Sequence, residues 1–167
     1  MPELPQAAGT YASRRNLIDA GHSEWLEPVR WERAVIAQFF DMQEKANPLS
    51  GTRVRNSTEL VRLLDRLHDR KPFFAELVGE NGFKMLLGIG VPEACVQFSP
   101  TDGSTPYLMA VVRDAPNADE GEIEFLIGNT VTSVPKRFAL PYETMVEIAA
   151  RFVDSGERYS GVAWEST

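Results

Sequence analysis

Five carboxylates crowd residues 114–124, DAPNADEGEIE: Asp114, Asp119, Glu120, Glu122 and Glu124, with no basic residue among them. The regular alternation of a calcium loop is missing, so the run is not read as a calcium site. Two readings remain. The run is either a solvated connection between strands or an acidic contact surface for a basic partner, where charge would set the rate and specificity of encounter. Asp102, on the turn Thr101-Asp102-Gly103-Ser104, extends the acidic surface in the second reading.

Other reactive side chains are sparse and poorly spaced. His22 and His68 have no cysteine or carboxylate at ligand spacing, and a zinc site needs three or four converging ligands. His68 reads as a residue near a helix C-terminus that favours the helix dipole. Cys95, between Ala94 and Val96, reads as a small buried residue rather than a nucleophile. Gly88-Ile89-Gly90 lacks the third glycine of a dinucleotide fingerprint, and Val91-Pro92-Glu93 follows it. These glycines are expected to mark a bulge or a close approach of strands. Walker loops, Gly-x-Ser-x-Gly elbows and paired-histidine metalloprotease motifs do not occur. The expectation is therefore no catalytic residue, no metal and no cofactor. An enzyme would have to work with scattered carboxylates such as Glu76, Glu80 and Asp102 in a deep pocket. Of the aromatic residues, Trp25, Trp31 and Trp164 serve either as binding anchors or as core fillers. Tyr107 and Trp164 are the anchor candidates, with sheet-edge packing the readier role for Trp164.

The chain as a whole bounds these options. It has 167 residues, enough for one well-buried core, and an apolar share of 43%, which is ordinary for a globular domain. No run approaches the roughly 18 apolar residues of a membrane helix, and the first residues, MPELPQAAGTYASRR, lack a secretory h-region. A single cysteine excludes an internal disulfide and fits a reducing, cytoplasmic setting. The net charge of −7 disfavours nucleic acid as a partner; it either suits a basic protein or simply keeps the chain soluble.

The elements that would position these residues follow from pattern. Residues 1–27 are punctuated by Pro2, Pro5, Gly9 and Gly21 and read as a poorly ordered extension; 28–167 form one domain. Val35, Phe39 and Met42 recur at helical spacing after Pro28, predicting a helix that Asn47-Pro48 ends. Asn56 and Glu59 form a capping-box variant ahead of Leu60, Leu63, Leu64 and Leu67, predicting a helix over 57–69. Strands are predicted at 73–78, 83–89, 94–98, 107–112, 122–127 and 130–134, joined by turns such as Gly79-Glu80-Asn81-Gly82. In 122–127, Ile123, Phe125 and Ile127 fall on one face and Glu122 and Glu124 on the other. Met145, Ile148, Ala149 and Phe152 mark a last helix, opened by Leu140-Pro141 and closed by a left-handed Gly156. Residues 161–165 add an edge strand with Trp164. Short turns between strands imply an α+β fold, a mostly antiparallel sheet of about five or six strands with two or three helices packed on it.

One ordered series of fragments carries a resemblance. Leu86-Leu87-Gly88-Ile89-Gly90 is followed by Val96-Gln97-Phe98, Asp102-Gly103 and Pro106-Tyr107-Leu108. Then come Glu124-Phe125-Leu126-Ile127-Gly128, Val134-Pro135, Leu140-Pro141, Phe152-Val153-Asp154-Ser155-Gly156 and a closing Trp164-Glu165. Over residues 73–165 the chain resembles the first-numbered family of immunity proteins from bacterial polymorphic toxin systems. The resemblance implies a cytoplasmic inhibitor, encoded beside a secreted toxin of nucleic-acid deaminase type, that blocks the toxin by tight complex formation and has no catalytic residues. The competing reading is a small acidic regulatory or scaffolding module without a toxin partner. Oligomeric state is not legible.

Overall fold

A computed structural model of the chain describes residues 34–113 and 120–167. Trp25, Trp31, His22, Asp114 and Asp119 lie outside the described residues, as does the proposed extension at 1–27. The fold is α+β. Among the described residues it has ten strands, two α-helices and one short 3₁₀ turn.

The first element corrects the sequence reading. Residues around Phe39 form not a helix but strand β1 (Ala37–Asp41). Val35, Ala37, Phe39 and Asp41 point inward and Gln38 and Phe40 outward, so the period is two. The helical spacing of Val35, Phe39 and Met42 is a coincidence within a run that satisfies both periods. Pairing decides it, because β1 is hydrogen-bonded antiparallel along β3 (Phe73–Gly79). β2 (Arg53–Val54) closes that side of the sheet.

Helix α1 (Ser57–Asp65) begins where the cap predicts. Asn56 Oδ1 accepts the Glu59 N–H at 2.9 Å, and the Glu59 carboxylate accepts the Arg55 N–H at 2.9 Å. The helix stops at Asp65, four residues short of expectation, although Leu67 remains buried in the turns that follow. Strands β4 (Phe83–Ile89), β5 (Glu93–Pro100) and β6 (Leu108–Val111) extend the antiparallel sheet, and β10 (Ala163–Ser166) pairs with β6 at its edge, as expected. The order along the main path is β10-β6-β5-β4-β3-β1-β2.

A separate ribbon, β7 (Glu122–Ile127) and β8 (Thr130–Pro135), attaches to β3 through the single parallel pair Phe73 with Leu126. The 3₁₀ turn Lys136–Phe138 and β9 (Leu140–Pro141), paired with the start of β5, lead into helix α2 (Tyr142–Ser155). The strand count exceeds expectation because β1, β2 and β9 exist only through long-range pairing.

The two faces of the sheet bury different clusters. On one face, α1 supplies Leu60, Leu63 and Leu64, and α2 supplies Met145, Ile148, Ala149, Phe152 and Val153. They pack on Phe39, Phe73, Leu77, Met85 and Leu87. Each of these side chains other than Ala149, fully buried, contributes about 1.5–3 kcal/mol relative to exposure. Gly156 ends α2 at φ 72° and donates its N–H to the Phe152 carbonyl at 2.7 Å, the left-handed cap expected. On the other face, the ribbon lays Ile123, Phe125 and Val134 over Phe74, Cys95 and Met109. Gly88 permits that approach: a Cβ there would lie 2.5 Å from Cys95 Sγ and 2.9 Å from the Phe125 ring. No helix among the described residues is long and apolar enough to cross a membrane.

Candidate functional site

β5 runs between two differently built ends of the molecule. At its Pro100 end, the turn to β6 holds Asp102 and leads to Tyr107. Asp102 Oδ1 accepts the Ser104 N–H at 2.9 Å, and bonds from the Ser104 side chain and backbone hold its carboxyl below the usual aspartate range. The Tyr107 hydroxyl donates to the Gly103 carbonyl at 2.6 Å and is thereby occupied within the turn. Thr101 N–H donates to Gly82 O at 2.9 Å, tying this turn to the one between β3 and β4. There Phe83, 38% exposed, stacks on Phe98 with ring centroids 5.0 Å apart. Trp164 meets Phe98 edge-on at 6.1 Å and donates its indole N–H to Tyr159 O at 3.0 Å. The Arg158 guanidinium lies about 6 Å from both the Phe98 and Trp164 rings. Trp164 is thus half-buried sheet-edge packing.

At the Glu93 end the chemistry is acidic. Glu122 and Glu124 project from the exposed face of β7, and together with Glu93 they line a shallow depression beside Val91 and Pro92. Glu120 is exposed just before β7. Lys136 Nζ sits 3.5 Å from Glu93. No ion pair reaches Glu120, Glu122 or Glu124 among the described residues, so their field is directed outward.

Asp102 lies at the opposite end of β5 from Glu93, Glu122 and Glu124. β5 is eight residues long, so its ends are seven steps of ~3.3 Å apart, roughly 23 Å. Sequence proximity between Asp102 and the acidic run is undone because β6 returns along β5 and carries the chain back to the far end. Tyr107 belongs with Asp102, and Trp164 lies toward that same end. Glu122 and Glu124 share one strand face, as predicted.

The remaining candidates are tied into the fold. Glu76 receives Lys84 Nζ at 2.6 Å, and Glu80 is ion-paired with Arg53. His68 Nδ1 lies 3.0 Å from the Asp65 carbonyl at the end of α1. Among the described residues no three histidine, cysteine or carboxylate side chains converge as metal ligands. Cys95 is buried, and desolvation, opposed only by a backbone bond at Gly88, pushes its thiol up to about 12, so it stays protonated at neutral pH.

The sequence reading missed an apolar cleft of about 450 Å³ between the ribbon and the sheet. Leu86, Cys95 and Met109 form its floor, Thr132 and Val134 of β8 one wall, and Phe138 an end. Gln97 lies in the floor, its amide donating only a weak bond to Met109 Sδ at 3.6 Å. The signal was present in β4 and β5, which carry apolar residues on both faces and therefore need cover on both.

A family model described as Immunity protein Imm1 matches residues 50–166, which takes in β2 and α1 as well as the fragments that carried the resemblance. No curated protein matches the chain.

Proposed function

The chain belongs to the Imm1 family of immunity proteins, and we propose that it binds and neutralises a cognate secreted toxin of the nucleic-acid deaminase type, in the cytoplasm of the cell that makes both. The observation that carries this reading is the family match over residues 50–166. Charge supports the choice of toxin. A deaminase must present a basic cleft that accepts nucleic acid. A protein of net charge −7 with outward carboxylates at Glu120, Glu122 and Glu124 complements such a surface. The protein acts by occupying its partner and turns nothing over.

The test is co-expression with the toxin domain encoded beside it. Cells survive, and the two proteins co-purify with an affinity in the nanomolar range or tighter. Death of the cells together with separate elution of the two proteins defeats the reading.

A further inference from the structure

The β7–β8 ribbon brings three features together. β8 pairs only with β7 among the described residues, so its other edge presents unpaired backbone N–H and C=O groups. That wall, with Thr132 and Val134, borders the apolar cleft. The neighbouring strand of the same ribbon bears Glu122 and Glu124 on its exposed face. An extended polypeptide meets all three features: main-chain bonds to an edge, alternate side chains in a groove, and flanking cations against carboxylates.

We propose that the β7–β8 ribbon is the docking element for the toxin, which adds an extended segment along β8. That segment seats apolar side chains in the cleft over Leu86 and Met109, while basic residues of the toxin meet Glu120, Glu122 and Glu124. The inference rests on the proposed function and names the surface that performs it. Charge complementarity selects the occupant: three carboxylates without an ion pair among the described residues call for a basic protein, and the strand edge calls for an extended stretch of it. The Gln97 amide in the cleft floor, held only by a thioether, is available to a main-chain carbonyl of the incoming segment. Apolar contacts in the cleft supply the slow dissociation that exposed charges do not.

The experiment measures binding of the full chain to the catalytically inactivated toxin domain encoded beside it. Leu86→Glu places a charge in the half-buried floor of the cleft, and Thr132→Arg fills it from the β8 wall; Phe83→Ala alters the opposite end of the sheet. Each variant is first shown to keep the wild-type circular dichroism and melting profile. The dissociation constant rises at least tenfold for the two cleft variants and stays within twofold for Phe83→Ala. In the wild-type complex, amide hydrogen exchange slows across residues 130–134. If a cleft variant fails to fold, that protection pattern decides alone. Wild-type affinity in both cleft variants, or protection confined to residues 101–107, overturns the docking assignment while leaving the immunity function standing. Absence of any complex with the wild-type chain overturns both.

Discussion

At the Pro100 end of β5, aspartate, tyrosine and aromatic side chains are spent on their own chain: Asp102 on Ser104, Tyr107 on Gly103, Phe98 on Phe83, Phe152 and Trp164. At the Glu93 end, the glutamates of β7 have no such partners among the described residues, and an open apolar cleft adjoins their ribbon. Residue type does not separate the two ends, since both offer the acids and aromatics typical of interfaces. What separates them is whether a side chain's hydrogen-bonding and packing capacity is already used. A tyrosine whose hydroxyl is satisfied internally gains little from a partner, whereas a carboxylate with no ion-pair partner keeps its charge, screened by water and salt, available to a basic one.

The comparison breaks first, if it breaks, at Phe98. This buried ring sits between Phe83, Phe152 and Trp164. Phe98→Ala is expected to lower unfolding stability by about 4 kcal/mol, measured by urea denaturation. The fraction that remains folded associates with the toxin at the wild-type rate. A slowed association in folded protein would make the aromatic end part of the interface.

Asp41 takes internal commitment further than any residue at either end. Its carboxylate accepts the Gln43 and Glu44 N–H groups at 2.9 and 2.8 Å, Asn47 Nδ2 at 2.7 Å and Arg70 Nη1 at 2.6 Å. Burial pushes its carboxyl upward, but the bonds from Arg70, Asn47 and Glu44 overcome this and hold it below its ordinary value. A depressed folded pKa gives stability that is present above the unfolded value, near 4, and is lost as pH falls through the folded value. Asp41→Asn is expected to cost about 3 kcal/mol at pH 7, since it removes the nearer of Arg70's two partner charges and leaves only the half-exposed Glu44 carboxylate at 3.8 Å. The gap between wild-type and variant melting temperatures narrows below about pH 4. A gap unchanged between pH 7 and pH 3 would show that the charge contributes nothing.

How much of this division was legible follows from the range of each signal. Helix α2 was read almost to the residue because Met145, Ile148, Ala149 and Phe152 repeat locally and Gly156 stops them. The β3–β4 and β7–β8 turns were legible for the same reason. β1 was not, because Val35, Phe39 and Met42 satisfy a helix as well as a strand, and only the distant partner β3 decides. The acidic face of β7 was legible from Glu122 and Glu124. Its separation from Asp102 and the cleft beside β8 were not, because both arise from strand order, which the alternation of one strand does not contain.

The ribbon itself is tested by charge. Reversal at Glu120 and Glu122, together with Asp119 from the adjoining run, is expected to slow toxin association on the order of tenfold and flatten its salt dependence. Reversal at Glu120 and Glu122 alone does not lower the melting temperature, because no ion pair to either is lost among the described residues. Stopped-flow rates between low and physiological salt check this, and identical rates in variant and wild type would remove the carboxylates from the encounter.

The smallest expected effect belongs to Asp102, and it is the most discriminating. Asp102→Asn keeps an Oδ1 that can accept the Ser104 N–H, so the turn is retained and only the charge is removed. The charge lies beyond the Pro100 end of β5 whereas Glu122 lies beside its Glu93 end, and the strand between them, roughly 23 Å long, is more than twice the screening length at physiological salt. Its loss should leave the association rate unchanged within error and lower the melting temperature at pH 7 only slightly, as its depressed carboxyl implies, even though the same unit of charge removed at Glu122 slows the encounter. In wild-type protein the Asp102 carboxyl should titrate below the ordinary aspartate range near 3.9, measurable by NMR. If Asp102→Asn slowed association as much as a single ribbon substitution, only net charge would matter to the toxin, and the distinction between the two ends of β5 would have no bearing on binding.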